Sequence, residues 1–363
     1  MAYVSESLLY ICFSLVMGYF ILQLVPIAYK PTIVFPKWLL LLCVISIPTM
    51  SYIPLHLIAA QYADAFQLGY IPMIRSILLD LPVGEAWLWT LLGSVGLALM
   101  VGIPALAKDR HMPKVGLLLT LLLSVWFGFA SHAASLSSFR GLIVHTGHFT
   151  SVIIWLGILF IVSWFATDYS QWTKFLRWFS PLAIVCVLMS LIAGITLMSF
   201  TTLQYNNGLM LNFGQYLLIK HITILPLLWL AFSNGYLYPR RAKKESTLSP
   251  KGFLRAESIL ALVVLIITAM LGQQAPPHNV VETLQTESPS RLFTSLYQGS
   301  FSPDMELLWQ FNLNSVMLWL AASLMLYVSY IAFRQRKISV MVIVCLLFIL
   351  LAYLGYMFGI VVK

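Results

Sequence analysis

The stretch LIVHTGHFTSVIIWLGILFIVSWFA, residues 142–166, contains no charged side chain. About 20 consecutive apolar residues in a helix are enough to cross the roughly 30 Å hydrocarbon core of a bilayer. Because an unpaired backbone amide or carbonyl is costly in lipid, such a run is expected to be helical throughout. The stretch therefore predicts a membrane-spanning helix with two histidines, His145 and His148, near one end.

The whole chain has the same apolar character. Of its 363 residues, 60% are hydrophobic and only 9% are charged. A water-soluble domain of this size could not bury so much apolar surface, so we predict an all-α, polytopic integral membrane helix bundle in the lipid bilayer. About ten transmembrane helices are expected from the length of the apolar runs. These predicted spans cover residues 5–28, 38–60, 86–107, 115–134, 142–166, 178–201, 214–238, 256–273, 307–333 and 338–361.

Lysine and arginine residues alternate between rich and poor loops. The loops after odd-numbered spans carry 16 of them, and the loops after even-numbered spans carry three. Because basic loops are retained in the cytoplasm, both termini are predicted to be extracytoplasmic. The net charge of +9 is then explained by orientation, and we expect no nucleic-acid partner.

On this orientation, six of the seven histidines lie in the outer half of the protein. His145 and His148 are three residues apart, which places them on one helix face. His132 ends the preceding span, and the short loop 135–141 brings the two spans together. Neutral imidazole suits copper, zinc, iron and nickel, so these three histidines are predicted to form a metal-binding cluster. Each could instead be an interfacial aromatic residue that hydrogen-bonds to the backbone.

Four further residues are candidate metal ligands. His221 lies beside Lys220 well inside the seventh span, where an ionisable group is by default a functional hypothesis. Met198 ends the sixth span and offers a thioether to Cu(I), as does Met210 in the loop that follows. His56 lies near the outer end of the second span, in a segment interrupted by prolines.

Cysteines and catalytic motifs give no support for an enzyme. The four cysteines lie inside predicted spans without a C-x-x-C pair, so we predict that they pack as apolar residues. They are Cys12, Cys43, Cys186 and Cys345. The chain contains no G-x-x-x-x-G-K-[ST] or G-x-G-x-x-G motif and no supported catalytic triad. We therefore predict a membrane transporter or metal-binding protein rather than an enzyme.

Several short motifs follow one another along the chain. They are DLPVGEAW at 80–87, SHAAS at 131–135, HTGHFTSVIIWLGILF at 145–160, FSPLA at 179–183, FGQYLLIKHITILPLLWLAFSN at 213–234, RAESILALVV at 255–264 and QQAPPH at 273–278. In this order they resemble the CopD family of copper-resistance membrane proteins, over about residues 5–278. Four positions depart from the family pattern: Ser131 and Ile158 stand where glycine is usual, Phe213 stands where tyrosine is usual, and Gly235 stands where arginine is usual.

The resemblance implies copper transport across the bacterial cytoplasmic membrane, in the direction of import. It implies copper, as Cu(I) or Cu(II), as the bound ion and an extracytoplasmic CopC-like copper-binding protein as a partner. It also divides the chain into a CopD-like membrane domain with eight spans at 1–278, an extracytoplasmic loop at 279–306 and two additional spans at 307–363. Because histidine ligands must be deprotonated, copper uptake is expected to weaken as the pH falls through the imidazole range.

Two other functions fit the same residues. In a b-type cytochrome, histidines from two helices would ligate a haem and carry electrons, and His132, His145 and His221 lie at suitable depths. A scaffold or assembly factor would bind no metal at all.

Overall fold

The computed structural model describes residues 2–242, 249–277, 279–297, 299 and 301–362. Its α-helices are α1 (Ala2–Leu24), α2 (Lys37–Ala65), α3 (Tyr70–Asp80), α4 (Pro82–Gly102), α5 (Pro104–Ala107), α6 (Met112–Phe129), α7 (His132–Leu136), α8 (Ser138–Phe165), α9 (Trp172–Thr201), α10 (Tyr205–Gly208), α11 (Asn212–Phe232), α12 (Tyr238–Ala242), α13 (Lys251–Gly272), α14 (Val280–Thr286), α15 (Arg291–Leu296), α16 (Leu313–Arg334) and α17 (Ile338–Met357). A 3-10 turn covers Ile27–Tyr29, and a π-helical turn covers Ser233–Leu237.

Ten of these helices, within the part of the chain that the structure describes, are long and apolar enough to cross a membrane. They are α1, α2, α4, α6, α8, α9, α11 with its continuation to Ala242, α13, α16 and α17. Each overlaps one predicted span, so the prediction of an all-α polytopic bundle is confirmed.

Two short antiparallel ribbons complete the secondary structure. The strands β1 (Thr32–Ile33) and β2 (Ala166–Asp168) pair with each other, as do β3 (Leu307–Trp309) and β4 (Ile360–Val362). Because β3 occupies the start of the predicted ninth span, α16 begins later, where the Asn312 side chain accepts a hydrogen bond from the Ser315 amide at 2.8 Å. Residues 307–312, which were predicted to begin the ninth span, thus form a strand and the segment that leads to the cap of α16.

The chain divides into two compact units, Met1–Met198 and Ser199–Lys363. This division falls within α9. The domain boundary at residue 278 was drawn from the family resemblance and stays a prediction.

In the first unit, α1 packs against α2, α6 and α8. The α1 and α8 backbones touch at two glycines: a Cβ atom built on Gly18 would lie 2.3 Å from the carbonyl carbon of Gly157. Towards the N-terminal end of α1, Tyr10 and Phe13 pack against Phe127 of α6 and Phe149 of α8. This aromatic cluster lies beside the histidine-bearing end of α8.

In the second unit, α11 packs against α13 and α17, and α16 packs against α17. Gln215 of α11 is fully buried, and its side-chain oxygen accepts a hydrogen bond from the Tyr353 hydroxyl at 2.6 Å. The Gln215 amide nitrogen donates to the Leu209 carbonyl at 2.6 Å. The last helix, α17, is therefore hydrogen-bonded to α11 in the core of the second unit.

Candidate metal site

His148 is held by a backbone carbonyl of the neighbouring helix. Its Nδ1 lies 2.8 Å from the carbonyl oxygen of Ser190 in α9. Since a carbonyl oxygen can only accept, Nδ1 carries the hydrogen, and a neutral His148 then has its lone pair on Nε2. Metal-binding histidines commonly donate their other ring nitrogen to a carbonyl in this way, which fixes the ring and its tautomer.

His145 belongs to the same helix but faces another neighbour. Its ring centroid lies 5.9 Å from that of Phe127 in α6, whereas His148 lies against Gly194 and Ser190 in α9. Residues three apart on a helix differ by about 60° around its axis. This difference is enough to direct the two imidazoles towards different neighbouring helices. The prediction that both lie on one helix face therefore did not place their rings together.

His132 lies in α7 and not at the end of the preceding span. The span α6 ends at Phe129, and Ser131 starts a new helix, with its hydroxyl oxygen accepting the Ala134 amide at 3.3 Å. His132 is exposed by surface area, yet surrounding protein atoms partly desolvate its ring, and this burial lowers the pKa of His132 below its ordinary value. The neutral, metal-binding form is favoured as a result.

A glycine positions α7 against the start of α8. A Cβ atom on Gly141 would lie 1.8 Å from the Ala133 carbonyl oxygen, so only glycine permits this approach. The predicted neighbourhood of His132 and the α8 histidines is therefore built by a tight turn between two helices.

The remaining predicted ligands have separate surroundings. In the second unit, His221 of α11 stacks on Tyr205 with ring centroids 6.0 Å apart, and its Nδ1 lies 3.3 Å from the Tyr205 hydroxyl. In the first unit, Met198 is half-buried near the end of α9. Met210, which the sequence also suggested, is fully buried in the apolar cluster of the second unit.

His56 takes part in a hydrogen-bonded aromatic group. Its Nδ1 lies 2.7 Å from the Tyr70 hydroxyl, and that hydroxyl lies 3.2 Å from the Tyr52 hydroxyl. Because Tyr70 begins α3 and the other two residues belong to α2, this group ties the two helices together. The structure thus supplies a structural role for His56 beside the predicted one.

No group of three or more His, Cys, Asp or Glu side chains that could hold a metal ion occurs among the described residues. His132, His145 and His148 belong to the adjoining helices α7 and α8, but they do not form a three-ligand set. His278, the last residue of the QQAPPH motif, lies outside the described residues, as do Lys243 and Lys244 of the basic loop after the seventh predicted span. The metal-binding role of each predicted ligand stays a prediction.

One buried polar pair was not singled out from the sequence. Asn234, in the π-helical turn after α11, donates to a carboxylate oxygen of Glu257 at 2.7 Å and to the Phe253 carbonyl at 3.1 Å. Glu257 is 3% exposed and lies inside α13. The signal was present, since an asparagine and a glutamate interrupt two apolar spans, but their pairing depends on how α11 and α13 pack.

Comparison with known proteins points to copper. Residues 173–271 match the family model described as Copper resistance protein D, CopD. The chain is 26% identical to the inner membrane protein YebZ of Escherichia coli (strain K12) over 246 residues, which cover 64% of this chain and 81% of YebZ. It is 28% identical to the copper transport protein CutJ of Bacillus subtilis (strain 168) over 233 residues, which cover 61% of this chain and 42% of CutJ.

The match to CutJ thus spans less than half of that protein. No solved structure matches the chain. The comparisons give no support to the haem alternative. The chain is thus similar to the CopD family over residues 173–271, and its ten long apolar helices, counted among the described residues, are those of a multi-pass membrane protein.

Proposed function

We propose that this protein transports copper across the bacterial cytoplasmic membrane, in the direction of import, and is not an enzyme. His132, His145 and His148 are proposed to bind the arriving ion near the extracytoplasmic face. The proposal is supported by the copper-related family match and by the relative named as a copper transport protein.

The observation that carries this proposal is the hydrogen bond between His148 and the Ser190 carbonyl. It presents His148 in the tautomer that coordinates a metal through Nε2. His145 lies one turn earlier on the same helix, and the nearby His132 favours its neutral form. Neutral imidazoles in one region of the fold are suitable ligands for copper in either oxidation state.

Further ligands are proposed along the route. Met198 and His221 would accept the ion after capture, and His56 would bind it near the outer end of α2. An extracytoplasmic CopC-like protein is proposed as the copper donor. These assignments rest on ligand chemistry and on the predicted orientation.

Copper accumulation in cells tests the proposal. Cells that express the double variant His145→Ala/His148→Ala are expected to accumulate no more copper than cells without the protein, whereas wild-type cells accumulate more. His111→Ala is a matched control, because His111 is an exposed histidine in a loop predicted to be cytoplasmic. Unchanged accumulation in the double variant at equal protein level would contradict the site, and lower copper in wild-type cells than in cells without the protein would contradict import.

A further inference from the structure

One carboxyl group of the second unit lies inside a membrane-spanning helix with a single neutral partner. Glu257 belongs to α13 and is 3% exposed. In the described part of the chain, its hydrogen-bond partner is the Asn234 amide, 2.7 Å away, and no lysine, arginine or histidine forms an ion pair with it. A buried carboxylate needs a cation or several donors to replace the water that it loses. One amide does not supply this, so the group is expected to be a neutral carboxylic acid.

The Asn234 side chain indicates which oxygen of Glu257 carries the proton. Its Nδ2 also lies 3.1 Å from the Phe253 carbonyl oxygen. Because a carbonyl oxygen can only accept, this second contact fixes the amide with its nitrogen, and not its oxygen, towards Glu257. Oε2 of Glu257 is thus the accepting oxygen, and the proton belongs on Oε1. An amide donor at this position would repel a metal cation, so the ion that suits the group is a proton.

A local widening of the helix positions Asn234. Residues Ser233–Leu237 form a π-helical turn between α11 and α12. Such turns are rare, and they are found frequently at functional sites. Asn234 is 6% exposed, so the turn directs a polar side chain into the second unit towards α13. The irregular turn and the buried carboxyl are separate features of the sequence that meet at one point.

The arginines near the predicted cytoplasmic end have other partners or are exposed. In α12, Arg241 donates to the Phe333 carbonyl at 2.8 Å, and Arg240 lies over the Tyr236 ring with its guanidinium carbon 3.2 Å from the ring centroid. The neighbouring Tyr238 ring packs against Phe253. The turn after α16 carries three exposed basic residues, Arg334, Arg336 and Lys337. None of these cations forms an ion pair with Glu257.

The other charged groups near α13 are also directed away or distant. Arg255 is two residues before Glu257, and side chains at this spacing do not face each other on a helix. Lys251 lies about 9 Å earlier along the axis, and Lys220 and His221 of α11 lie about 20 Å from the π-helical turn. Helix α17 carries no charged side chain. Its titratable groups bond elsewhere, Cys345 to Ser329, Tyr353 to Gln215 and Tyr356 to Asn206.

We propose that Glu257 is a proton-binding site of the second unit, which holds one proton as a carboxylic acid and exchanges it with the cytoplasmic side. The carboxyl lies about 9 Å along α13 from Lys251, at the end that is predicted to be cytoplasmic. On release, the Oε1–H bond breaks, its electron pair stays on the carboxylate, and the proton passes to water. Asn234 donates to Oε2 in both states. A part for this proton in copper movement rests on the proposed function, but its binding does not.

Infrared spectroscopy of the purified full-length protein tests this site. A protonated carboxyl has a C=O stretching band above the amide bands, and the wild-type protein at neutral pH is expected to show one that moves to lower frequency in heavy water. Glu257→Gln should lose the band, whereas Glu282→Gln, which changes an exposed carboxyl of α14, should keep it. Asn234→Ala should move the band to higher frequency, because the C=O group loses its donor. A band that persists in Glu257→Gln, or that does not move in heavy water, would overturn the proposal.

A second measurement uses the wild-type chain alone, since substitutions of buried residues could disturb folding. Dicyclohexylcarbodiimide partitions into lipid and adds to carboxyl groups only when they are protonated. After treatment at neutral pH, mass spectrometry of peptides should find the adduct on Glu257 and not on the exposed Glu282. Glu257 without the adduct would overturn the proposal. Neither measurement involves copper, so each can succeed while copper transport fails, or fail while transport persists.

Discussion

The side chain or backbone group that each histidine contacts determines what its imidazole can do. A carbonyl holds His148, an aromatic ring contacts His145, and a tyrosine hydroxyl binds His56. His132 has no aromatic neighbour of this kind in the described contacts, but its ring is partly desolvated. The pH dependence of copper binding is therefore expected to depend on His132 in particular.

The lowered pKa of His132 predicts the direction of this dependence. An ordinary imidazole becomes protonated below a pH of about 6.5 and then cannot bind a metal. Because its pKa is lowered, His132 stays neutral to a more acidic pH, so copper uptake should fall as the pH drops, with a midpoint below the ordinary value. His132→Ala should move that midpoint to a higher pH, as measured by copper uptake at a series of external pH values. An identical pH profile in the variant would show that His132 is not a ligand.

The site could be predicted from the sequence only in part. The spacing of His145 and His148 correctly placed both on one continuous helix. It could not show that one imidazole faces α6 and the other α9, because helix neighbours are set by packing between distant segments. For the same reason, the sequence could not show that the Ser190 carbonyl is the partner of His148.

At the scale of elements, close helix packing depends on glycine. The contact of Gly18 with Gly157 brings the α1 and α8 backbones together, which small residues permit in membrane helices. Gly157→Ala would place a methyl group 2.0 Å from the Ser14 carbonyl oxygen, so the helices must separate. We expect a loss of about 1–3 kcal/mol of stability, seen as a lower thermal unfolding temperature in detergent.

Gly147 offers a control in the same helix. A Cβ atom at Gly147 meets nothing within 4 Å, so Gly147→Ala should keep or slightly raise the unfolding temperature. If both alanine variants unfold at the wild-type temperature, the close contact between α1 and α8 is not present in the protein.

For the stability of the whole chain, we expect the last helix, α17, to support the second unit through a buried hydrogen bond. Tyr353→Phe removes the hydroxyl that donates to the buried Gln215 oxygen. A buried acceptor left without this donor costs about 1–3 kcal/mol. Thermal unfolding should show this loss for Tyr353→Phe and little change for Tyr327→Phe, because Tyr327 of α16 is 60% exposed. Equal unfolding temperatures would mean that α17 does not support α11 through this bond.

The predicted orientation is a second property of the whole chain. A fusion of alkaline phosphatase after Val362 should be active, because that enzyme matures only outside the cytoplasm and the C-terminus is predicted to be there. A fusion after Arg336, in a loop predicted to be cytoplasmic, should be inactive. The opposite pattern in the two fusions would reverse the orientation and put the outer histidines inside.

Most of the fold could be predicted from composition and run length. Ten apolar runs gave ten helices, because lipid permits few other backbone conformations. The strand β3 could not be predicted in this way, because its residues are as apolar as those of the neighbouring helix. The division into two units depends on which helices pack together, and the length of an apolar run does not predict that packing.

If the outer histidines bind copper, the metal content of the purified protein depends on them. Copper bound per chain would be measured by mass spectrometry after purification from copper-supplemented cells. The wild-type protein and His111→Ala are expected to carry equal copper, and His145→Ala/His148→Ala is expected to carry at least one equivalent less. Equal copper in all three proteins, or a haem absorption band in place of copper, would show that His145 and His148 do not bind copper.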